Sequence, residues 1–221
     1  MGWRDITDAR SSVRTTIASV IPRVGTGDTF LLAFSPEPYT YCLPSMWSSF
    51  AFDYIARQNV GGTHLNYHVF KQLPNLTPKD MMSPAGWRAE ESVISWLTPR
   101  VLELTYTAWD LEAFGQDCGW QGPPFRWDEA RRFLLRCELD AAFFHLYGVV
   151  RDDVSYIMDT FPIVRRKDER AHGEYRTKRV ILEVYDAMQR AMDTGDAYPT
   201  RLDPPPADPS VAHLPREGGD H

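Results

Sequence analysis

Apolar residues in the first third of the chain occur in short runs that are typical of strands. The runs Ile17–Val24 and Thr29–Phe34 are separated by Gly25–Asp28, whose composition favours a turn between two strands. A longer stretch, Trp47–Asn59, has apolar residues at helical spacing and ends before a pair of glycines, which is typical of a helix end. We therefore predict a hairpin of two buried strands, followed by a helix.

From about residue 85 to residue 193 the apolar residues recur at the spacing of helices. Two periodic stretches, Glu90–Leu97 and Arg100–Phe114, lie on either side of Pro99. Proline in a helix interior removes a hydrogen bond and clashes with the preceding turn. We therefore expect a break or a kink at Pro99.

The clearest helix is predicted over Asp128–Tyr147. Asp128 suits the positive N-terminal end of this helix, and Gly148 suits the position just after its last turn. Further helices are predicted over Asp152–Met158 and Glu174–Met192. The remaining C-terminal residues are rich in proline and acidic side chains and poor in large apolar ones, which is typical of a disordered tail.

These patterns predict an α+β fold with three parts. Residues 1–80 form a small β-rich portion, residues 85–193 form a mainly α-helical region, and residues 194–221 form a disordered tail. The 221 residues include 43% hydrophobic and 24% charged residues, so a substantial core can form.

Targeting and metal-binding signals are weak. No apolar run approaches the length of a membrane span, and the first residues lack the apolar segment of a secretory signal. Cys42, Cys118 and Cys137 are too far apart for a metal-binding pair, and His64 and His68, four apart, have no third ligand at a suitable offset. We therefore expect a cytoplasmic protein with no membrane association, no metal site and no disulfide framework.

Charge is distributed unevenly along the chain. The net charge is −6, yet residues 165–179 contain seven Lys or Arg against three Asp or Glu. Such a strip can neutralise phosphates, although a solvated helix face has the same composition.

Two N-terminal segments combine basic residues with hydrogen-bonding side chains. One is an arginine- and threonine-rich cluster within residues 4–23, and the other follows Arg57 and contains adjacent glycines, which allow close backbone approach to a partner. Surface loops have similar compositions, so both interpretations stay open. The candidate nucleic-acid contacts are Arg10, Arg14, Thr15, Arg57, Gln58, Thr63, His64, Asn66, Arg176, Lys178 and Arg179.

An ordered series of segments gives the chain a family resemblance. The segments are 14–23, 52–58, 61–66, 71–74, 99–107, 122–127, 156–162 and 173–179. Together, over about residues 3–190, they resemble the C-terminal part of large adenine-specific DNA methyltransferases of the type IIG-like restriction–modification and phage-defence class. The resemblance implies that residues 1–80 end a DNA target-recognition domain and that residues 85–193 form the helical region behind it.

The same resemblance implies that catalysis resides elsewhere. Gly122–Phe125 has two prolines and an aromatic but no acceptor side chain for the target amino group, and Asp203–Pro206 has the acid but no aromatic. Val24–Gly27 resembles a cofactor turn but precedes a strand rather than a helix. We therefore expect no catalytic and no cofactor-binding residue here, with S-adenosylmethionine bound by an upstream methylase domain that acts in cis or in trans. The expected partners are that domain and double-stranded DNA.

Two other interpretations fit the same residues. The helical region could be a protein-interaction module that docks methylase subunits, with DNA contact incidental. The chain could also be a non-functional gene remnant, whose incompletely paired sheet would expose strand edges and favour aggregation. Salt-sensitive DNA binding would favour the DNA-recognition segment, and salt-insensitive association with a methylase subunit would favour the interaction module. Poor solubility of residues 1–80 would favour the gene remnant.

Overall fold

The computed structural model describes residues 1–8, 12–35 and 38–216. In this part of the chain a small sheet lies near the N-terminus and the remainder is mainly helical, which confirms the predicted α+β class. The strands are β1 (Gly2–Arg4), β2 (Ala18–Ser19), β3 (Phe30–Leu32), β4 (Pro84–Ala85) and β5 (Arg88–Ser92). The helices are α1 (Leu43–Trp47), α2 (Phe50–Asn59), α3 (Tyr67–Phe70), α4 (Pro78–Met82), α5 (Val93–Thr105), α6 (Glu112–Asp117), α7 (Glu129–Leu146), α8 (Arg151–Asp159), α9 (Pro162–His172) and α10 (Arg176–Thr194).

The N-terminal sheet is not the predicted hairpin. Its order is β2-β1-β3, and β1 pairs antiparallel with each of its neighbours, so β2 and β3 do not pair with each other. Neither is fully buried: the residues of β3 are half-buried, and in β2 Ala18 is half-buried and Ser19 is exposed. The turn signal between them is local, whereas β1 comes from the start of the chain. Gly2 permits the close approach, since a Cβ there would lie 2.2 Å from the carbonyl oxygen of Leu31.

Trp3 attaches this sheet to the helices. Its ring stacks on Phe70 of α3 with centroids 3.8 Å apart and meets Trp47 of α1 edge-on at 5.9 Å. Its Nε1 donates to the carbonyl of Leu65 at 2.7 Å, so the indole is buried with its polar atom satisfied.

Most predicted helices are present, with local corrections. The end at Asn59 and the start after Asp128, whose side chain accepts from the Arg131 amide at 2.8 Å, agree with the sequence. Gly148 follows α7 with a φ of 66°, as a helix-ending glycine should. The single helix predicted over Trp47–Asn59 is instead two, because the Ser49 side chain caps a new helix start.

The predicted helix break at Pro99 does not occur. Helix α5 runs from Val93 to Thr105 with Pro99 inside it. Trp96, Leu97 and Val101 on either side are buried in the core, and this packing outweighs the local cost of the proline. The two periodic stretches also have other boundaries, since residues 88–92 form β5 and α5 ends well before residue 114.

A single hydrophobic cluster extends through the described residues. It includes Trp3 of the sheet, Phe52 of α2, Phe143 of α7 and Val184 of α10, so the two predicted parts share one core. Helix α7 is central, because residues 137–144 are buried without interruption and α10 packs along it. None of the described helices is both long and apolar enough to cross a membrane.

The expected disordered tail is wrong for residues 195–216. Tyr198 and Leu202 are buried, and the Tyr198 amide donates to the carbonyl of Trp87 at 2.8 Å. Further on, Arg131 pairs with Glu103 and donates to the carbonyls of Pro204 and Pro205. The segment is ordered by partners on α5 and α7, which its own composition does not show.

Candidate functional site

Two predicted contacts, Thr15 and Arg57, lie in the interior. Thr15 has no exposed surface, and the Arg57 side chain is only 11% exposed. Arg57 donates to the Asp53 carboxylate at 3.2 Å and to three backbone carbonyls, one of them from Thr160 at the end of α8. Asp53 also accepts from the Thr16 amide at 2.6 Å. These bonds hold residues 12–16 against α2 and α8.

Burial shapes the ionisation of this interior group. The pKa of Asp53 is raised by desolvation, although the positive charge of Arg14, the Thr16 amide and Arg57 oppose the rise. The pKa of Asp140 on α7 is raised in the same way, against the opposing effect of Arg14 and the Phe50 amide. Arg14 thus lies between two buried carboxyl groups.

The predicted contacts after Arg57 lie on the surface. Gln58, Thr63, His64 and Asn66 are all exposed. His64 Nδ1 lies 2.7 Å from a carboxylate oxygen of Asp5, and the Asn66 side chain accepts from the amide of Val69 as the cap of α3. These two side chains are exposed, and each also has a hydrogen-bond partner within the protein. Arg10, the remaining N-terminal candidate, lies outside the described residues.

The basic strip at residues 165–179 spans α9 and the start of α10, and three of its seven basic residues form ion pairs within the described part of the chain. Lys178 Nζ lies 2.7 Å from Asp159, and Arg179 binds both Glu174 and Glu183 at 2.8 Å. Arg176 instead lies over the ring of Phe133, with its guanidinium carbon 4.1 Å from the centroid. Carboxylates therefore offset part of the positive charge that the sequence shows here.

A different group of arginines shares one cavity. A cavity of about 500 Å³ lies between β2, α1, α5 and α7, and we call it the arginine cleft. It is lined by Arg14, Arg132 and Arg136, by Trp127 just before α7, and by Asp140. Of these residues, only Arg14 was among the predicted contacts.

The cleft has more positive charge than its carboxylates offset. Arg14 Nη2 is 3.5 Å from Asp140, and Arg136 is 3.9 Å from Glu129. Within the described chain, no carboxylate lies within ion-pair distance of Arg132, whose Nη1 donates to the Leu104 carbonyl at 2.8 Å.

Two guanidinium atoms in the cleft are buried with unused hydrogen-bonding capacity. Arg14 Nη1 and Arg132 Nε have no hydrogen-bond partner among the residues that the structure describes. The pKa of Arg132 is lowered first by burial and next by the positive charge of Arg136. An anion in the cleft would relieve this repulsion.

Trp127 gives the cleft an aromatic wall. The indole is 60% exposed, yet its Nε1 donates to Glu129 Oε1 at 2.7 Å. The guanidinium carbon of Arg132 lies 3.6 Å from the ring centroid, which is a cation–π contact. The ring is therefore held in place although it is exposed.

The sequence does contain a signal for this cleft. Arg132 and Arg136 are four residues apart on a predicted helix, where like charges lie side by side and destabilise the helix. The inward position of Arg14, which completes the group, is not visible in the sequence.

Comparison of the chain with protein-family models, with curated protein sequences and with solved structures finds no match in any of the three. Among residues 1–8, 12–35 and 38–216, no group of three His, Cys, Asp or Glu side chains is placed to hold a metal ion.

Proposed function

We propose that this chain is a DNA-binding segment that positions a target duplex for an adenine-specific methylase domain, supplied in cis or in trans. In this assembly the methylase domain binds S-adenosylmethionine and transfers its methyl group to adenine. The present chain recognises the target sequence and binds the DNA backbone. The system would serve restriction–modification or phage defence, in agreement with the family resemblance.

The observation that carries the proposal is the arginine cleft. Three guanidinium groups line one cavity. Of the two on α7, Arg136 lies 3.9 Å from a carboxylate oxygen of Glu129, and Arg132 has no carboxylate within ion-pair distance among the described residues. Guanidinium groups bind phosphate through paired N–H donors, and phosphate contacts fix a protein on DNA without reading its sequence. The exposed side chains of Gln58 and Thr63 are suited to base edges, which carry the sequence information.

The test is DNA binding by the full chain as a function of salt. We expect the logarithm of the binding constant for a labelled duplex to fall linearly with the logarithm of salt concentration. Replacing Arg132 and Arg136 with glutamine should weaken binding on every sequence and reduce this slope by about 2, because about 0.9 is lost per phosphate contact.

A matched control removes charge elsewhere. Arg190 is exposed near the far end of α10, and Arg190→Gln should leave the slope almost unchanged. Glutamine is shorter than arginine and does not place a donor where Arg132 Nη1 bonds the Leu104 carbonyl, so circular dichroism checks that the fold is intact. An equal slope for the cleft variant and the wild type would rule out the cleft as the DNA-binding site.

A second candidate function has an observation of its own. The exposed side chains of Val24 and Phe34, 61% and 85% exposed, line a cavity of about 780 Å³ beside the N-terminal sheet. Apolar exposure of this kind favours protein contact, so the chain would be an interaction module for a methylase subunit. Tight association that persists at high salt, without DNA binding, would support this alternative.

A further inference from the structure

The arginine cleft combines two features that DNA backbone binding alone does not require. Phosphate contacts need cations, but they need no aromatic ring. Trp127 is nevertheless exposed at the cleft, and both its hydrogen bond to Glu129 and its contact with Arg132 hold it there. A large aromatic that is exposed and fixed is the usual platform for a nucleobase.

The size of the cleft limits what can enter it. A cavity of about 500 Å³ lies within the range of small-molecule sites, roughly 300–1,000 Å³. A base with its sugar and phosphate fits such a volume, whereas a base-paired duplex can reach the cleft only with its backbone phosphates. The occupant suited to both the charge and the ring is therefore a single nucleotide.

We infer that the arginine cleft binds one unpaired nucleotide, with its phosphate at Arg132 and Arg136 and its base stacked on Trp127. One face of the indole is covered by Arg132, so the base takes the opposite face and forms a guanidinium–indole–base stack. This inference rests on the proposed DNA binding and adds the substrate class: DNA in which a nucleotide has left the helix.

The chemistry recognised is that of a nucleoside phosphate, and two sources supply it. One source is an unpaired nucleotide within DNA, and the other is a free nucleotide. The probes that separate them are a labelled perfect duplex, the same duplex with one unpaired adenosine, and dAMP as a competitor.

The experiment measures the affinity of the full chain for each probe by fluorescence anisotropy. The duplex with the unpaired adenosine should bind about 10-fold more tightly than the perfect duplex, since stacking on an aromatic side chain contributes at this level. Trp127→Ala should abolish this difference, and Trp127→Phe should retain most of it. Tyr156→Ala removes an aromatic of similar exposure, 62%, on α8 and should have no effect.

The source is decided by competition. Weak competition by dAMP against the unpaired duplex assigns the cleft to DNA, and competition at equal concentration assigns it to a free nucleotide; both support nucleotide binding. Equal affinity for the two duplexes together with no binding of dAMP would overturn the inference, as would a preference that survives Trp127→Ala.

The experiments can refute the nucleotide site without refuting DNA binding, and the reverse. If Arg132→Gln with Arg136→Gln still weakens binding of the perfect duplex while Trp127→Ala changes nothing, DNA binding stands and the nucleotide site falls. If only dAMP binding responds to the cleft variants, the nucleotide site stands and duplex binding falls.

Discussion

The buried carboxylate of Glu138 holds the C-terminal segment onto α7, and its replacement gives the sharpest test of the fold. Glu138 has no exposed surface. Oε2 accepts from Arg100 Nε at 2.8 Å, and Oε1 accepts from the Tyr198 hydroxyl, the Thr200 hydroxyl and the Arg201 amide at 2.7 to 3.0 Å. Three of its four partners therefore belong to the segment that the sequence predicts to be disordered.

Glu138→Gln preserves the shape of the side chain and removes its charge. The guanidinium of Arg100, itself buried, then has no counter-ion, and the amide nitrogen cannot accept the hydrogen bonds that a carboxylate oxygen does. Removing one partner of a buried ion pair costs about 3–5 kcal/mol. We expect the free energy of unfolding to fall by about this amount, a large part of the roughly 5–15 kcal/mol typical of a domain.

Urea unfolding followed by circular dichroism measures the global effect. Trypsin cleavage after Arg201 measures the local one, and we expect it to be at least about 10-fold faster in the variant because the segment opens more often. Glu90→Gln makes the same chemical change at an exposed residue and should shift stability by less than about 0.5 kcal/mol. Similar stability and cleavage rates for Glu138→Gln and Glu90→Gln would refute this account of the C-terminal segment.

Three further predictions test other parts of the fold. Burial lowers the pKa of His145 below 6.5, so the unfolded state binds more protons as the pH falls below 6.5. As the pH falls from 6.5 to the folded-state pKa, the melting temperature of the wild type should therefore fall more than that of His145→Gln. Thermal melting between pH 5 and 8 measures this difference. Parallel plots of melting temperature against pH for the two proteins would contradict the prediction. Pro99→Ala restores an amide that can donate to the Ser95 carbonyl and should raise the free energy of unfolding in urea by about 1–3 kcal/mol; a lower value would mean that the proline shapes the packing of α5. Trp3→Ala should cost about 3–5 kcal/mol in the same assay, and a cost below about 1 kcal/mol would show that the sheet is not anchored through this ring.

The candidate site was only partly visible in the sequence. The exposed positions of Gln58 and Thr63 agree with a contact surface, but the strip at 165–179 could not be judged without its partners. Glu183 lies four residues beyond Arg179 and just outside the strip, and Asp159 comes from α8. A charge count along a segment includes only the carboxylates within that segment, whereas ion pairs also depend on which carboxylates the fold brings near.

What the sequence determined by itself was local. Helix positions followed from apolar spacing, and the ends at Asn59 and Gly148 followed from local end signals, since hydrogen bonds within a helix depend on neighbouring residues. Tertiary structure decided what distant residues contribute: β1 entering between β2 and β3, α5 continuing through Pro99, and Glu138 ordering a proline-rich segment 60 residues away. Those outcomes depend on burial and on charge pairing between residues far apart in the sequence. The free energies of these interactions outweigh local propensity, and the interactions produce no periodic pattern along the chain.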